Sequence, residues 1–312
     1  MDSYIAFTPR GADGRHRVAA IGFFDGVHLG HRYLLDQVSA VAIATGRAAI
    51  AVSFKRHPRS ILDTGYLPAL LTTPAEKETL LRQAGLDACV LLDFDRDMAR
   101  LTAREFMARY LRDTYRVDIL IMGYDHHFGS DRLDFDGYVA AGRDVGIEVR
   151  RAEAFATSEF TVSSSTVRRL LEGGNIERAT QCLGYAYELG GTVVEGRHIG
   201  RDLGFPTANL RPTSAEKLVP GRGVYAVDVV MPDGQTHYGG MLNIGFRPTL
   251  DDGRGTTIET HLFNFSGDLY GQRLTLRFLH RLRDERRFSS LSDLRAQLRT
   301  DADTARKILA IP

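Results

Sequence analysis

What most limits the fold of this chain is a change of rhythm partway along it. From residue 17 to residue 154, short apolar runs alternate with stretches of helical periodicity. "RVAAIGFF" (17–24), "AAIAVSF" (48–54), "ACVLLDF" (88–94), "VDILIMG" (117–123) and "IEVRRAEA" (147–154) read as strands. Between them, "HRYLLDQVSAVAIATG" (31–46) has helical spacing and a glycine stop at Gly46. "TPAEKETLLRQAG" opens on a capping box, Thr73 with Glu76 and Pro74 at the first helical position, and "TAREFMARYLRD" repeats the box with Thr102 and Glu105. Strands alternating with helices build βαβ units and a mostly parallel sheet. Near residue 185 the rhythm stops. "ELGGTVVEG", "GVYAVDVVM", "THYGGMLNIG", "TTIETHLFNF" and "RLTLRFLH" are short β-rich segments separated by Gly, Pro and Asp, the pattern of a small antiparallel barrel. The tail after Ser290 returns to helix. The expected architecture is α/β followed by β: a Rossmann-like N-terminal domain over 1–184 and a barrel with a C-terminal helix over 185–312.

Composition narrows the function. A length of 312 residues suits two domains of roughly 150 each. A formal net charge of +1 gives no electrostatic footprint for nucleic acid, so none is expected as a partner. No apolar run is long enough to span a membrane, and the polar first 17 residues do not read as a signal peptide. Cys89 and Cys182 are isolated and form no disulfide framework. A cytoplasmic protein is expected.

The first strand runs into "GFFDGVHLGH" (22–31). His28 and His31, three apart, have the spacing of two zinc ligands, but zinc needs a third and usually a fourth. The alternative is a phosphate cradle. Gly22, Gly26 and Gly30 let backbone amides approach a ligand, and the following helix offers its positive N-terminus. The position, at the carboxyl end of a parallel strand, is where ligands of such sheets bind. The stretch resembles the His-x-Gly-His signature of the nucleotidylyltransferase superfamily. "SFKRHP" (53–58), "GYDHHFG" (123–129) and "VSSSTVRRLLEGG" (162–174) follow in the order of the adenylyltransferase half of bacterial riboflavin kinase/FAD synthetases, with Ser165 where threonine is common.

A second stretch, "GTVVEGRHIGRDLGFPTANL" (191–210), resembles the riboflavin kinase signature of the same family, with its Pro-Thr-Ala-Asn core from Pro206 to Asn209. "GRGVYAV", "GGMLNIGFRPTL", "IETHLFNFSGDLYG" and "LRDERRF" follow in the family's order. The resemblance spans about residues 15–310.

It implies two activities: FMN from riboflavin and ATP in the C-terminal domain, then FAD from FMN and ATP in the N-terminal one. In the first domain it marks His28, His31 and Arg168 as donors to the reacting phosphates. Gly22, Phe24, Gly26, Ser163, Ser164 and Ser165 fall on the ATP side, and Phe54, His57, Asp125 and Phe128 on the flavin side. In the second it marks Glu259 as the base, Gly200, Thr207 and Asn209 as ATP contacts, and Thr207 and Asn209 as ligands of Mg²⁺. Gly196, Gly200 and Gly204 suit a mobile flap over the nucleotide. His-x-Gly-His by itself also allows another nucleotidylyltransferase or an aminoacyl-tRNA synthetase fragment, and the same scaffold could serve as a non-catalytic flavin sensor. Retention of His28, His31, Arg168 and Glu259 favours catalysis.

Overall fold

The computed structural model describes residues 4–5, 16–60, 68–123, 126–155, 161–196, 199–246 and 255–311. Two compact units divide the chain, Met1–Ser164 and Ser165–Pro312, with the border inside "SSSTVR".

In the first unit a six-stranded sheet is built from β1 (Tyr4–Ile5), β2 (Arg17–Ile21), β3 (Ala48–Phe54), β4 (Ala88–Leu92), β5 (Val117–Met122) and β6 (Glu148–Arg151). Its order is β1-β4-β3-β2-β5-β6, parallel throughout except for β1, which pairs antiparallel with β4. The central strands are continuous apolar runs because both faces of the sheet are covered; all seven residues of β3 are buried. The helices are α1 (Leu29–Thr45), α2 (Pro74–Gln83), α3 (Arg96–Arg100), α4 (Ala103–Phe106) and α5 (Phe135–Asp144). Both expected capping boxes form. The Thr73 and Thr102 hydroxyls accept the Glu76 and Glu105 N–H groups, and the two glutamates accept the threonine N–H groups in return. Gly46 closes α1 in the left-handed conformation, φ 66°. Beyond α4 the helix widens to π form over Met107–Thr114. From β2 the chain steps outward to β3 and β4, then returns to the other side of β2 as β5 and β6. The strand order therefore reverses beside β2, and the turn leaving β2 sits at the switch point of the sheet.

The second unit opens with α6 (Ser164–Glu172) and α7 (Ile176–Leu183), which ends on Gly184. A closed barrel follows, ordered β10-β11-β8-β7-β12-β9 and antiparallel at every seam. Its strands are β7 (Glu188–Val194), β8 (Ala208–Pro212), β9 (Gly223–Val230), β10 (His237–Phe246), β11 (Thr256–Leu262) and β12 (Arg273–Arg283), with a short helix, α8 (Ile199–Asp202), before β8. β8 had no counterpart among the strands expected from the sequence. Its Asn, Arg and Pro disguise it, yet it closes the barrel between β7 and β11.

Helix α9 (Leu291–Leu309) starts at Ser290, whose Oγ accepts the Asp293 N–H. Ala302 and Ala305 seat it on Val224, Ala226, Met241 and Phe263. A charge pair fixes its register. The Arg283 guanidinium, at the end of β12, forks onto the buried Asp301 carboxylate with contacts of 2.7–3.0 Å, and Gln297 donates to the same carboxylate at 2.7 Å. Removing one partner of a buried pair strands the other, a loss of roughly 3–5 kcal/mol. Asp301→Ala is accordingly expected to destabilise the second unit by roughly 3 kcal/mol, near the lower bound because Arg283 keeps some solvent contact. Urea unfolding followed by circular dichroism measures this.

Candidate active sites

The turn after β2 is held at nearly every residue. Gly22 donates its N–H to Val52 O at 3.0 Å. The Phe23 carbonyl accepts from Ser53 Oγ and from Lys77 Nζ, each at 3.0 Å. The Asp25 carboxylate, 2 % exposed, accepts the N–H groups of Leu71 and Thr72 and the Thr72 hydroxyl. Gly26, at φ 79°, donates its N–H to Thr72 Oγ1 at 3.1 Å. Ser164 Oγ donates to the Asp25 carbonyl at 3.0 Å, so one of the three expected serines is tied to this turn. Phe24 is buried, its ring against Gly22 and edge-on to His31 at 5.3 Å; only its backbone faces outward chemistry.

His28 caps α1, its Nδ1 accepting the His31 N–H at 3.3 Å. That acceptor role puts the proton of a neutral His28 on Nε2, leaving an N–H to donate. The two rings stack, centroids 3.6 Å apart and 15° from parallel. Burial, then the neighbouring His28, Lys77 and His126, holds the His31 pKa well below the ordinary 6.5. His31 is therefore a neutral imidazole at physiological pH, and its Nδ1 is buried with no hydrogen-bond partner. Among the described residues no group of three or more His, Cys, Asp or Glu is placed so that it could hold a metal ion.

The flavin-side residues are more scattered. Phe54 is buried edge-on against Phe94. The half-buried His57 stands edge-on to Phe23 at 4.6 Å. Phe128 packs on Tyr138 and Phe106, and its backbone N–H and C=O both bond the Tyr138 hydroxyl. Asp125 lies outside the described residues. Ser163 and Ser165 flank the tied Ser164, and the half-buried Arg168 falls on α6, in the second unit. His126 lies near enough to His31 to help lower its pKa. One residue beside this turn was not expected from the sequence. Lys77, 2 % exposed, also donates to Phe54 O at 2.8 Å; burial lowers its pKa to about 8 against the opposing pull of Asp25.

The second site lies on the outer face of the barrel, under α9. Cross-strand register puts Asn209 of β8, Glu259 of β11 and Asn243 of β10 in one row, and the row continues through Val224 of β9 to Arg283 of β12. Opposed residues of antiparallel strands share a face, so these side chains lie on one face of the barrel, although Asn209 does not line the cleft beside them. A cleft of about 320 Å³ is lined there by Gly200, Thr207, Asn243, Glu259, His261 and Glu285, among others. His261 Nδ1 bonds the Pro206 carbonyl at 2.8 Å, which anchors the Pro-Thr-Ala-Asn segment, and burial lowers its pKa. Asn243, His261 and Glu285 were not singled out from sequence. Alternation along β11 (Thr257, Glu259, His261) was the available signal.

Two glycines of the expected flap have a steric reason to be glycine. A Cβ at Gly196 would fall 2.1 Å from Asn209 Nδ2, and one at Gly200 would fall 2.3 Å from Phe205 O. The backbone is pressed onto the Pro-Thr-Ala-Asn segment at Gly196 and onto the residue before it at Gly200.

A doubly wound unit with a histidine-lined turn at its switch point, joined to a closed barrel with an acidic residue in a polar cleft, defines a two-domain transferase. Comparison with known proteins agrees. Residues 11–166 match the FAD synthetase family and residues 183–309 the riboflavin kinase family. A bifunctional riboflavin kinase/FMN adenylyltransferase of Pseudomonas fluorescens is 37% identical over 94% of this chain and 93% of its own. One from Listeria monocytogenes is 32% identical over 95% and 93%. A crystal structure from Streptococcus pneumoniae, described as a macrolide-efflux protein, superposes with a TM-score of 0.85 at 31% identity over 95% of both chains. The chain belongs to the bifunctional riboflavin kinase/FMN adenylyltransferase family. Among its described residues no helix is long and apolar enough to cross a membrane.

The environment of His31 carries a pH dependence. Unfolded, the imidazole takes up a proton near 6.5; folded, it resists. The unfolded state thus binds more protons below that value, and stability falls as pH drops through it. The first unit is expected to unfold at lower urea at pH 5.5 than at pH 7.5, and His31→Gln to flatten that difference.

Proposed function

We propose that an N-terminal domain over residues 1–184 transfers the adenylyl group of ATP to FMN and that a C-terminal domain over residues 185–312 phosphorylates riboflavin. The observation that carries the reading is the His28–His31 stack at the switch point of the sheet, on the same chain as the Asn209–Glu259 pair of the barrel.

The two reactions ask different things of their sites. In FAD formation an oxygen of the FMN phosphate attacks the α-phosphorus of ATP, and the bond to the departing pyrophosphate breaks. That phosphate is already ionised near neutrality, with a second pKa of about 6, so no base is required. What is required is donors for the charge developing on the α-phosphoryl group and on pyrophosphate. His28 Nε2–H and a neutral His31 are such donors, with Ser163, Ser164, Ser165 and Arg168 as further ones. Gly22, Phe24 and Gly26 shape the ATP side of the turn, the N–H groups of Gly22 and Gly26 being already bonded to Val52 O and Thr72 Oγ1, and Phe54, His57, Asp125 and Phe128 form the flavin side.

Riboflavin instead presents a ribityl hydroxyl, which must lose its proton as it attacks the γ-phosphorus. Glu259 takes that proton. Thr207 and Asn209 offer hard oxygens, the kind Mg²⁺ takes; they would hold the ion, and it would neutralise charge on the transferred group. Gly200 lies against the nucleotide. The buried, unbridged Cys89 and Cys182 suit the reducing cytoplasm.

Incubation with riboflavin, ATP and Mg²⁺, followed by chromatography, should show FMN and then FAD; the absence of both products would refute the reading. His28→Ala is expected to slow FAD formation by about 10²–10³, the usual worth of one charge-stabilising donor, and to spare FMN formation. Glu259→Gln is expected to do the reverse, lowering riboflavin phosphorylation by about 10²–10⁴ while FMN supplied directly is still converted to FAD.

A further inference from the structure

Lys77 is a buried cation that the chemistry above leaves unused. It enters from α2, beyond the reach of solvent, and donates to two main-chain carbonyls, Phe23 O at 3.0 Å and Phe54 O at 2.8 Å. Its Nζ also lies 3.9 Å from the centre of the Phe23 ring. The two carbonyls belong to different pieces of the first site. Phe23 stands in the turn that carries His28 and His31. Phe54 ends β3 and leads to His57, whose ring meets that of Phe23.

Packing alone does not account for an ammonium here. Burying a charge is costly, and well-packed apolar replacements of buried charges are often neutral or stabilising. Nor does the Phe23 carbonyl depend on Lys77 for a partner, because Ser53 Oγ already donates to it. The side chain is distinguished by gripping both pieces at once with a single charged group, where charge-assisted bonds are the strong kind.

We propose that Lys77 is a positioning residue for adenylyl transfer, fixing the spacing between the phosphate-side turn and the flavin-side segment that lets the FMN phosphate reach the α-phosphorus in line. It acts through the Phe23 and Phe54 carbonyls and forms no bond to substrate. The inference rests on the assignment of FMN adenylylation to the N-terminal domain.

Lys77→Met keeps most of the length and removes the charge and the donors; Lys77→Arg keeps both charge and donors. In the full chain, kcat and KM for ATP and FMN are measured alongside riboflavin phosphorylation, with folding followed by circular dichroism. Lys77→Met is expected to fold, to leave phosphorylation within twofold, and to lower kcat/KM for FAD formation about 10²-fold, as a misplacement near 1 Å does. KM should rise for both substrates, since both pieces loosen. Lys77→Arg should recover at least tenfold of the loss. A folded Lys77→Met protein with FAD formation within threefold of wild type overturns the proposal. Should Lys77→Met not fold, Lys77→Arg decides: activity within thirtyfold of wild type upholds the role, and a larger loss, or failure of both variants to fold, makes Lys77 a core residue only. Failure of the underlying assignment looks different, because the wild-type chain itself then makes no FAD from FMN.

Discussion

The first site depends on a carboxylate bonded to the chain's own backbone. Asp25 is buried in the turn after β2, where it collects two backbone N–H groups and a hydroxyl from residues 71–72. Hydrogen bonds to a charged acceptor are roughly twice as strong as neutral ones, and each buried donor left unmet costs about 1–3 kcal/mol. The turn cannot easily relax away from this clamp. Its conformation is demanding, with Phe24 and Val27 both at positive φ, so without the clamp it would open. Everything placed on the turn inherits that rigidity: the His28 cap, the start of α1 and the histidine stack. Donors for a developing charge are effective only when they need not reorganise as it forms.

The second site is built by another route. Here no single turn dominates; a row of side chains is aligned by strand register from β8 through β11 and β10 to β12. Register is a collective property, set by the whole barrel and by α9, which the Arg283–Asp301 pair holds in place. Arg283, at the β12 end of that row, is thus held by Asp301 of a helix that begins well beyond Glu259 in the chain.

Much of this was legible in the sequence where the information is local. Caps such as Thr73–Glu76, the stop at Gly46 and the apolar strands of a covered sheet follow from neighbouring residues, and the histidine turn announces itself by its glycines. What was hidden depends on packing. β8 carries Asn, Arg and Pro and reads as a loop until β7 and β11 are seen on either side of it. Lys77 sits in "AEKETL", between two glutamates, where any helical lysine reads as solvated; only the fold, which brings the Phe23 and Phe54 carbonyls to it, shows it buried. Asn243 and His261 belong to the second cleft by register, which is a relation between strands and is not written in either strand alone.

The border between the compact units passes through "SSSTVR", after the serine that bonds the Asp25 carbonyl and before Arg168. The family matches leave the same region, residues 167–182, assigned to neither half. The border drawn by compactness therefore falls just ahead of a stretch that neither family claims. For the history of such a chain this has a consequence: in a rearrangement that gave each half a new companion, α6 and α7 are the piece free to travel with either.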